Sequence, residues 1–105
     1  VRYFQPIDDA KKFVEFYLTH HPQILAYMPL IRNVLCYLPV QWDDQIGFPN
    51  SGCIIGNEVV FDSFEDLQAA NGSDVRVRLR EDMRACPVPA GPSTHFAFMR
   101  EDFFK

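Results

Sequence analysis

Two periods of apolar residues run along this chain, and each predicts a different element. Val1 to Gln5 places a β-branched residue and two aromatics before Pro6, which removes a backbone donor, so a short strand should end there. Asp8 and Asp9 suit the start of a helix, one as cap and one in the first turn. From Ala10 the apolar positions Phe13, Phe16 and Tyr17, then Ile24, Leu25 and Met28, recur at three and four residues, the signature of one buried helical face. Pro22 falls inside this run and predicts a kink or restart just after His21, with backbone groups freed beside it.

Pro29 ends the helical stretch, and Ile31 to Val40 is dense in Val, Leu, Ile, Cys and Tyr. Ile31, Asn33, Leu35 and Tyr37 alternate with Arg32, Val34, Cys36 and Leu38. Both sets are mostly apolar, which predicts a central strand covered on both faces. Gln41 to Gly52 is a loop by its Asp, Asn, Pro and Gly content, and its Trp42 and Phe48 suit either a cover over a pocket or interface, or ordinary packing. Cys53 to Asp62 is the second strong strand, with Gly56 as a bulge or close-approach point. Ser63 and Asp66 form a capping box, and the helix that follows should turn Phe64, Leu67 and Ala70 inward. Val75 to Arg80 alternates like a strand, yet Val75, Leu79 and Met83 also keep a helical spacing of four. Cys86 to Ser93 is too rich in proline for regular structure, and Thr94 to Arg100 reads as a last strand.

The 105 residues, 48% apolar and 14% aromatic, suffice for one domain over residues 1–105 with a genuine core. A domain this small buries only about 60 to 65% of the surface its unfolded chain exposes, so self-association is a natural way to cover what is left. The net charge of -4 and scattered basic residues, apart from Arg76, Arg78 and Arg80, argue against nucleic acid as a partner. Cys36, Cys53 and Cys86 lack CxxC spacing and are odd in number, which suits buried, reduced thiols in a cytoplasmic protein. No secretory pattern opens the chain, and its longest apolar stretch, Ile24 to Leu38, is interrupted by Pro29, Arg32 and Asn33, so no membrane partner is expected. The first residue is Val1 rather than methionine, so the first strand is either truncated or follows a removed initiator.

Strand, long helix, two strands, helix, strand is the βαββαβ order of the ferredoxin-like unit, an α+β fold with a four-stranded antiparallel sheet. Residue patterns add to the order. The separation of Phe13 from His21, and Pro29 eight residues beyond, resemble the F-x7-H-x-P-L-x4-P-G pattern of the EthD family of small dimeric α+β barrel proteins. Pro22 and Gln23 replace that pattern's x-P order, and Leu30 stands where it has glycine. Glu58 with Phe61, Asp62 and Ser63 is similar to the family's acidic residue and F-D-S strand ending, and Glu65, Leu67, Ala69 and Ala70 to its E-x-L-x-A-A helix. Ser73 and Asp82 look like the serine and late acidic residue that follow, and on that basis Asp74 to Arg84 is assigned as helix against its alternation. The resemblance implies a homodimer formed by sheet packing, with a ligand cavity between each sheet and its helices or loop. It implies chemistry on small, mostly apolar carbonyl compounds, as in the lactone isomerases, polyketide cyclases and cofactor-free monooxygenases of related barrels, with no cofactor and no metal.

Removing a proton beside a carbonyl needs a base with a pKa near the working pH and a donor for the enolate oxygen. His21 is the first candidate base. His95, at the start of the last strand, could line the same cavity, and Tyr37 could donate to the carbonyl oxygen. Glu58, in a strand covered on both sides, needs either a raised pKa or a partner. His20 points about 100° away from His21 around a helix and suits a solvated role. Arg32 suits pairing with an acid. Asp43 and Asp44 have no histidine at ligand spacing and suit a solvated turn. Cys53 with His95 as nucleophile and base has no local signature. Three functions are therefore expected to compete: an isomerase, cyclase or dehydratase; a cofactor-free monooxygenase; and a non-catalytic ligand-binding or accessory protein.

Overall fold

Asp9 opens the long helix as anticipated, its carboxylate accepting the Lys12 N–H at 3.1 Å. A computed structural model describes residues 1–104 as β1 (Arg2–Phe4), α1 (Ala10–Leu25), β2 (Asn33–Tyr37), β3 (Cys53–Val60), α2 (Phe64–Asn71), α3 (Asp74–Arg84) and β4 (Ser93–Thr94). The strands make one antiparallel sheet in the order β2-β3-β1-β4, so the described residues form an α+β fold with four strands and three helices. That order is compatible with a ferredoxin-like unit.

The predicted break at Pro22 does not occur: α1 runs unbroken from Ala10 to Leu25. Proline lacks the N–H that would bond the carbonyl four residues back, on Leu18. The Gln23 side chain fills that role, donating from Nε2 to the Leu18 oxygen at 3.0 Å. The unsatisfied acceptor is thus repaired a full turn before His21, and the helix can present Phe13, Tyr17, His21 and Leu25 on one buried stripe.

That stripe faces two apolar clusters. Phe13 and Tyr17 pack with Ile54, Ile55 and Val88, while Leu25 packs with Met28, Ala70 and Leu79. In α2, Ser63 Oγ accepts the Asp66 N–H at 3.1 Å, and Ala70 is buried, but Phe64 projects outward and half of its surface is exposed. Six residues before Ala70, Phe64 stands about 120° around the helix from that buried position. α3 is helical as assigned. Its Leu79 is buried, with Val75 and Met83 half-buried at spacings of four.

Two strand expectations are corrected. β2 is an edge strand and shorter than its apolar run: its register with β3 spans Asn33 to Tyr37, the Arg32 N–H adds a bond to the Val60 oxygen, and among the described residues no strand pairs with its outer edge. The last strand ends at Thr94 after two residues, since β1 offers it only Arg2 and Tyr3. Residues 95–104 leave the sheet without strand structure, and Phe96, Phe98 and Phe104 are 76%, 83% and 96% exposed. The proline-rich return lies tightly against β1: Phe4 N–H donates to the Pro92 oxygen at 2.8 Å, and a Cβ on Gly91 would stand 2.5 Å from the Phe4 oxygen. All three thiols are free as expected, but none is fully buried: Cys53 and Cys86 are half-buried, and Cys36 is exposed on the edge strand.

Candidate functional site

His21 sits on the buried stripe of α1, 8% exposed, with its ring stacked on Tyr17 at 4.6 Å between centroids. Tyr17 in turn accepts a hydrogen bond from Asn57 Nδ2, itself buried in β3. A polar line therefore runs from the centre of the sheet through Tyr17 to the imidazole face.

One edge of the ring opens on a cleft of about 270 Å³ between α1, α3 and the β1–β4 side of the sheet. Tyr3, Leu79 and Met83 supply its apolar wall, while Arg76, Arg80, Ser93 and His95 supply polar groups. His21 Nδ1 is sealed from solvent without a hydrogen-bond partner, which leaves Nε2 as the nitrogen that can serve the cleft. Burial pushes the His21 pKa down to about 4, with Asp82 pulling it back up and Arg76 pushing it further down. His21 is thus neutral at pH 7. His95 is also lowered, first by burial, with Arg76 contributing.

The neighbouring histidine is differently placed. His20 stacks on Phe16 at 4.2 Å and its Nδ1 lies 3.2 Å from Asp82 Oδ1, on the half-exposed side of the α1–α3 contact. Asp82 Oδ2 is buried without a partner. Two adjacent histidines thus approach one helix from different angles, and only His21 reaches the cleft.

Tyr37 and Glu58 belong to another place. In the strand register Tyr37 and Arg2 both stand opposite Gly56, and Leu35 opposite Glu58. These residues occupy the sheet face turned away from Asn57 and α1. There Tyr37 Oη donates to Glu58 Oε2 at 3.1 Å, Arg2 Nη2 donates to Oε1 at 3.1 Å, and the guanidinium lies 5.3 Å from the Tyr37 ring centroid. The hydrogen bond to Glu58 raises the Tyr37 pKa. Glu58 has the partners its position called for, but it is exposed rather than covered. The four sequence candidates therefore divide into two pairs: His21 with His95 in the cleft, Tyr37 with Glu58 on the opposite face.

Arg32 pairs with Asp62, Nη2 to Oδ2 at 2.5 Å, away from either group. Trp42 and Phe48 do not cover the histidine cleft; they line a separate open groove with Leu38, Val40 and Ile46. Among the described residues no cluster of three or more His, Cys, Asp or Glu side chains is placed to hold a metal ion. No described helix is long and apolar enough to cross a membrane.

Sequence reasoning missed Arg76, Arg80 and Tyr3 as cleft residues. Once α3 is helical, Arg76, Leu79, Arg80 and Met83 fall at i, i+3, i+4 and i+7, one face by spacing alone. What the spacing does not give is the partner of that face, since β1 and β4 meet α3 only in the folded chain. Comparison of the chain with models of protein families, with curated proteins and with solved structures finds no match.

Proposed function

We propose that the cleft beside His21 binds a small carbonyl compound and that His21 is its acid–base residue, in an EthD-like enzyme of the isomerase, cyclase or dehydratase type. The observation that carries this reading is a buried, neutral imidazole, stacked on Tyr17, that lines a cleft together with His95. In the reaction a C–H bond beside the carbonyl breaks, its proton passes to His21 Nε2, and its electron pair moves to the carbonyl oxygen. His95 or Ser93 donates a hydrogen bond to the resulting enolate, and His21 returns the proton to a different atom of the substrate.

Leu30 supports the family reading from another direction. Its φ of 64° is the left-handed conformation that glycine favours, and the EthD pattern has glycine at this place. We extend the reading to a ferredoxin-like dimeric α+β barrel. The exposed Phe96, Phe98 and Phe104 are what such a dimer would cover, and the Arg2–Glu58–Tyr37 network would lie where two sheets meet.

Exchange of carbon-bound hydrogen for deuterium, followed by NMR in D2O with a panel of enolisable aryl ketones and diketones, tests the base assignment without knowledge of the natural substrate. The native protein should accelerate exchange for at least one compound, and His21→Ala should remove about 100-fold or more of that acceleration. Equal exchange in His21→Ala would overturn the assignment of the base. Ligand binding with no exchange in either protein would favour the non-catalytic reading, and oxygen uptake with exchange would favour the monooxygenase.

A further inference from the structure

The polar end of the cleft carries more positive charge than proton transfer alone requires. Arg76 and Arg80, one turn apart on α3, both line it, together with His21, His95, Ser93 and Tyr3, and its lining includes no carboxylate. Among the described residues neither arginine forms an ion pair, whereas Arg2, Arg32 and Arg100 each have an acidic partner. In a chain with a net charge of -4, two unpaired guanidinium groups around one concavity are a local inversion of the overall balance.

Val1, Leu79, Met83 and the Tyr3 ring form the remaining walls, which are apolar in their side chains. The cleft is therefore two-ended. At about 270 Å³ it lies just below the roughly 300–1,000 Å³ typical of ligand pockets, which limits the ligand to a compact molecule.

We infer that the cleft selects a small amphipathic carboxylate, whose anionic head is held by Arg76 and Arg80 while its apolar body lies on Leu79, Met83 and Tyr3. Guanidinium donors match carboxylate and phosphate alike, and the small cleft favours the more compact carboxylate. The inference rests on the reading of His21 as the cleft's base and gives that reading a substrate class: a keto acid rather than a wholly apolar ketone. It also removes a difficulty in the chemistry. Burial holds His21 a weak base, with Asp82 opposing and Arg76 adding to the effect, and an anion against Arg76 offsets the Arg76 part just when the proton must be accepted.

Two measurements separate this inference from the reading beneath it. In calorimetric titrations with benzoate and its neutral isostere benzamide, benzoate should bind at least about tenfold tighter, lose affinity with rising salt, and lose about tenfold more in Arg76→Gln or Arg80→Gln. NMR spectra should show the His21 and His95 ring signals moving together on benzoate addition. Equal affinity for benzamide, or unchanged benzoate affinity in both variants with native spectra retained, would overturn the inference. So would inorganic phosphate binding as tightly as benzoate, which would mark a general anion site. In the second measurement, deuterium exchange into benzoylpropionate is compared with exchange into butyrophenone. Faster exchange into the acid that depends on both His21 and Arg76 supports both claims. Equal exchange that depends on His21 alone overturns the carboxylate claim and leaves the base in place, and exchange independent of His21 overturns the base.

Discussion

At the scale of single residues, His21 and Leu30 each store a measurable cost. The folded-state pKa of His21, about 4, lies below the ordinary 6.5 because the ring is buried, with Asp82 opposing and Arg76 adding to the effect. Between these values the unfolded chain binds a proton that the folded chain does not. Stability is therefore full above the ordinary value and falls as pH drops through that window toward the folded value, by about 3 kcal/mol in all. Urea midpoints at pH 7 and 4.5 should show this loss in the native protein and most of it absent in His21→Gln; identical pH slopes would contradict the burial of the ring. At Leu30, φ of 64° strains a branched side chain that is itself more than half exposed. Leu30→Gly should stabilise the fold by about 0.5–1 kcal/mol, read as a rise in Tm, despite the greater chain entropy of glycine. His21 could be chosen from the sequence by type and register, but its partners could not. Tyr17 was legible as a core aromatic four residues earlier, whereas Asn57 comes from a strand 36 residues further on. Only the sheet brings that amide to the phenol.

At the scale of elements, the helices were more legible than the strands, for a physical reason. Helix signals are local: the Asp9 and Ser63 caps and the four-residue stripes of α1 and α3 are made within one segment. Even there, the kink expected at Pro22 was averted by the Gln23 side chain one residue on, a repair that pattern alone does not disclose. Strand length depends on a partner found elsewhere. β2 and β4 stop where pairing stops, not where apolar residues stop, so the runs Ile31–Val40 and Thr94–Arg100 overstate them. The β1–β4 edge depends on close backbone approach at Gly91, where a methyl group would strike both the Phe4 and Pro6 oxygens. Gly91→Ala should cost about 1–3 kcal/mol and loosen the edge that carries Ser93 and His95 into the cleft. Hydrogen exchange at the Phe4 amide, which donates to Pro92, is the direct readout. Unchanged protection there would show that the edge does not need the glycine.

At the scale of the whole molecule, the monomer is more open than a chain of this length usually is. Its radius of gyration is 15.2 Å, against about 13 Å expected for a compact domain of this size. The excess lies in the flat outline, 41 × 39 × 19 Å, and in apolar side chains without cover: the tail phenylalanines, and Trp42 and Phe48 on the loop. If the proposed dimer forms, sedimentation should give a species of twice 12.2 kDa, and replacing Phe96 and Phe98 together by Asp should shift it to monomer. A native monomer at micromolar concentration would remove the dimeric barrel from the proposal. Histidine ring spectra of the double variant would show whether the cleft stands without the partner.

Order of elements, the α1 stripe, the caps, and His21 as the residue to watch were determined by the sequence itself, because each arises from neighbours within a few turns of chain. The tertiary structure alone decided which strands are edges, which side of the sheet each candidate serves, and which charges face His21. Register and layer are properties of pairs far apart in sequence. Tyr37 and Glu58 parted from the histidines on that account, and Arg76 and Arg80, which the sequence placed on a helix without a site to face, line the cleft because α3 packs on α1.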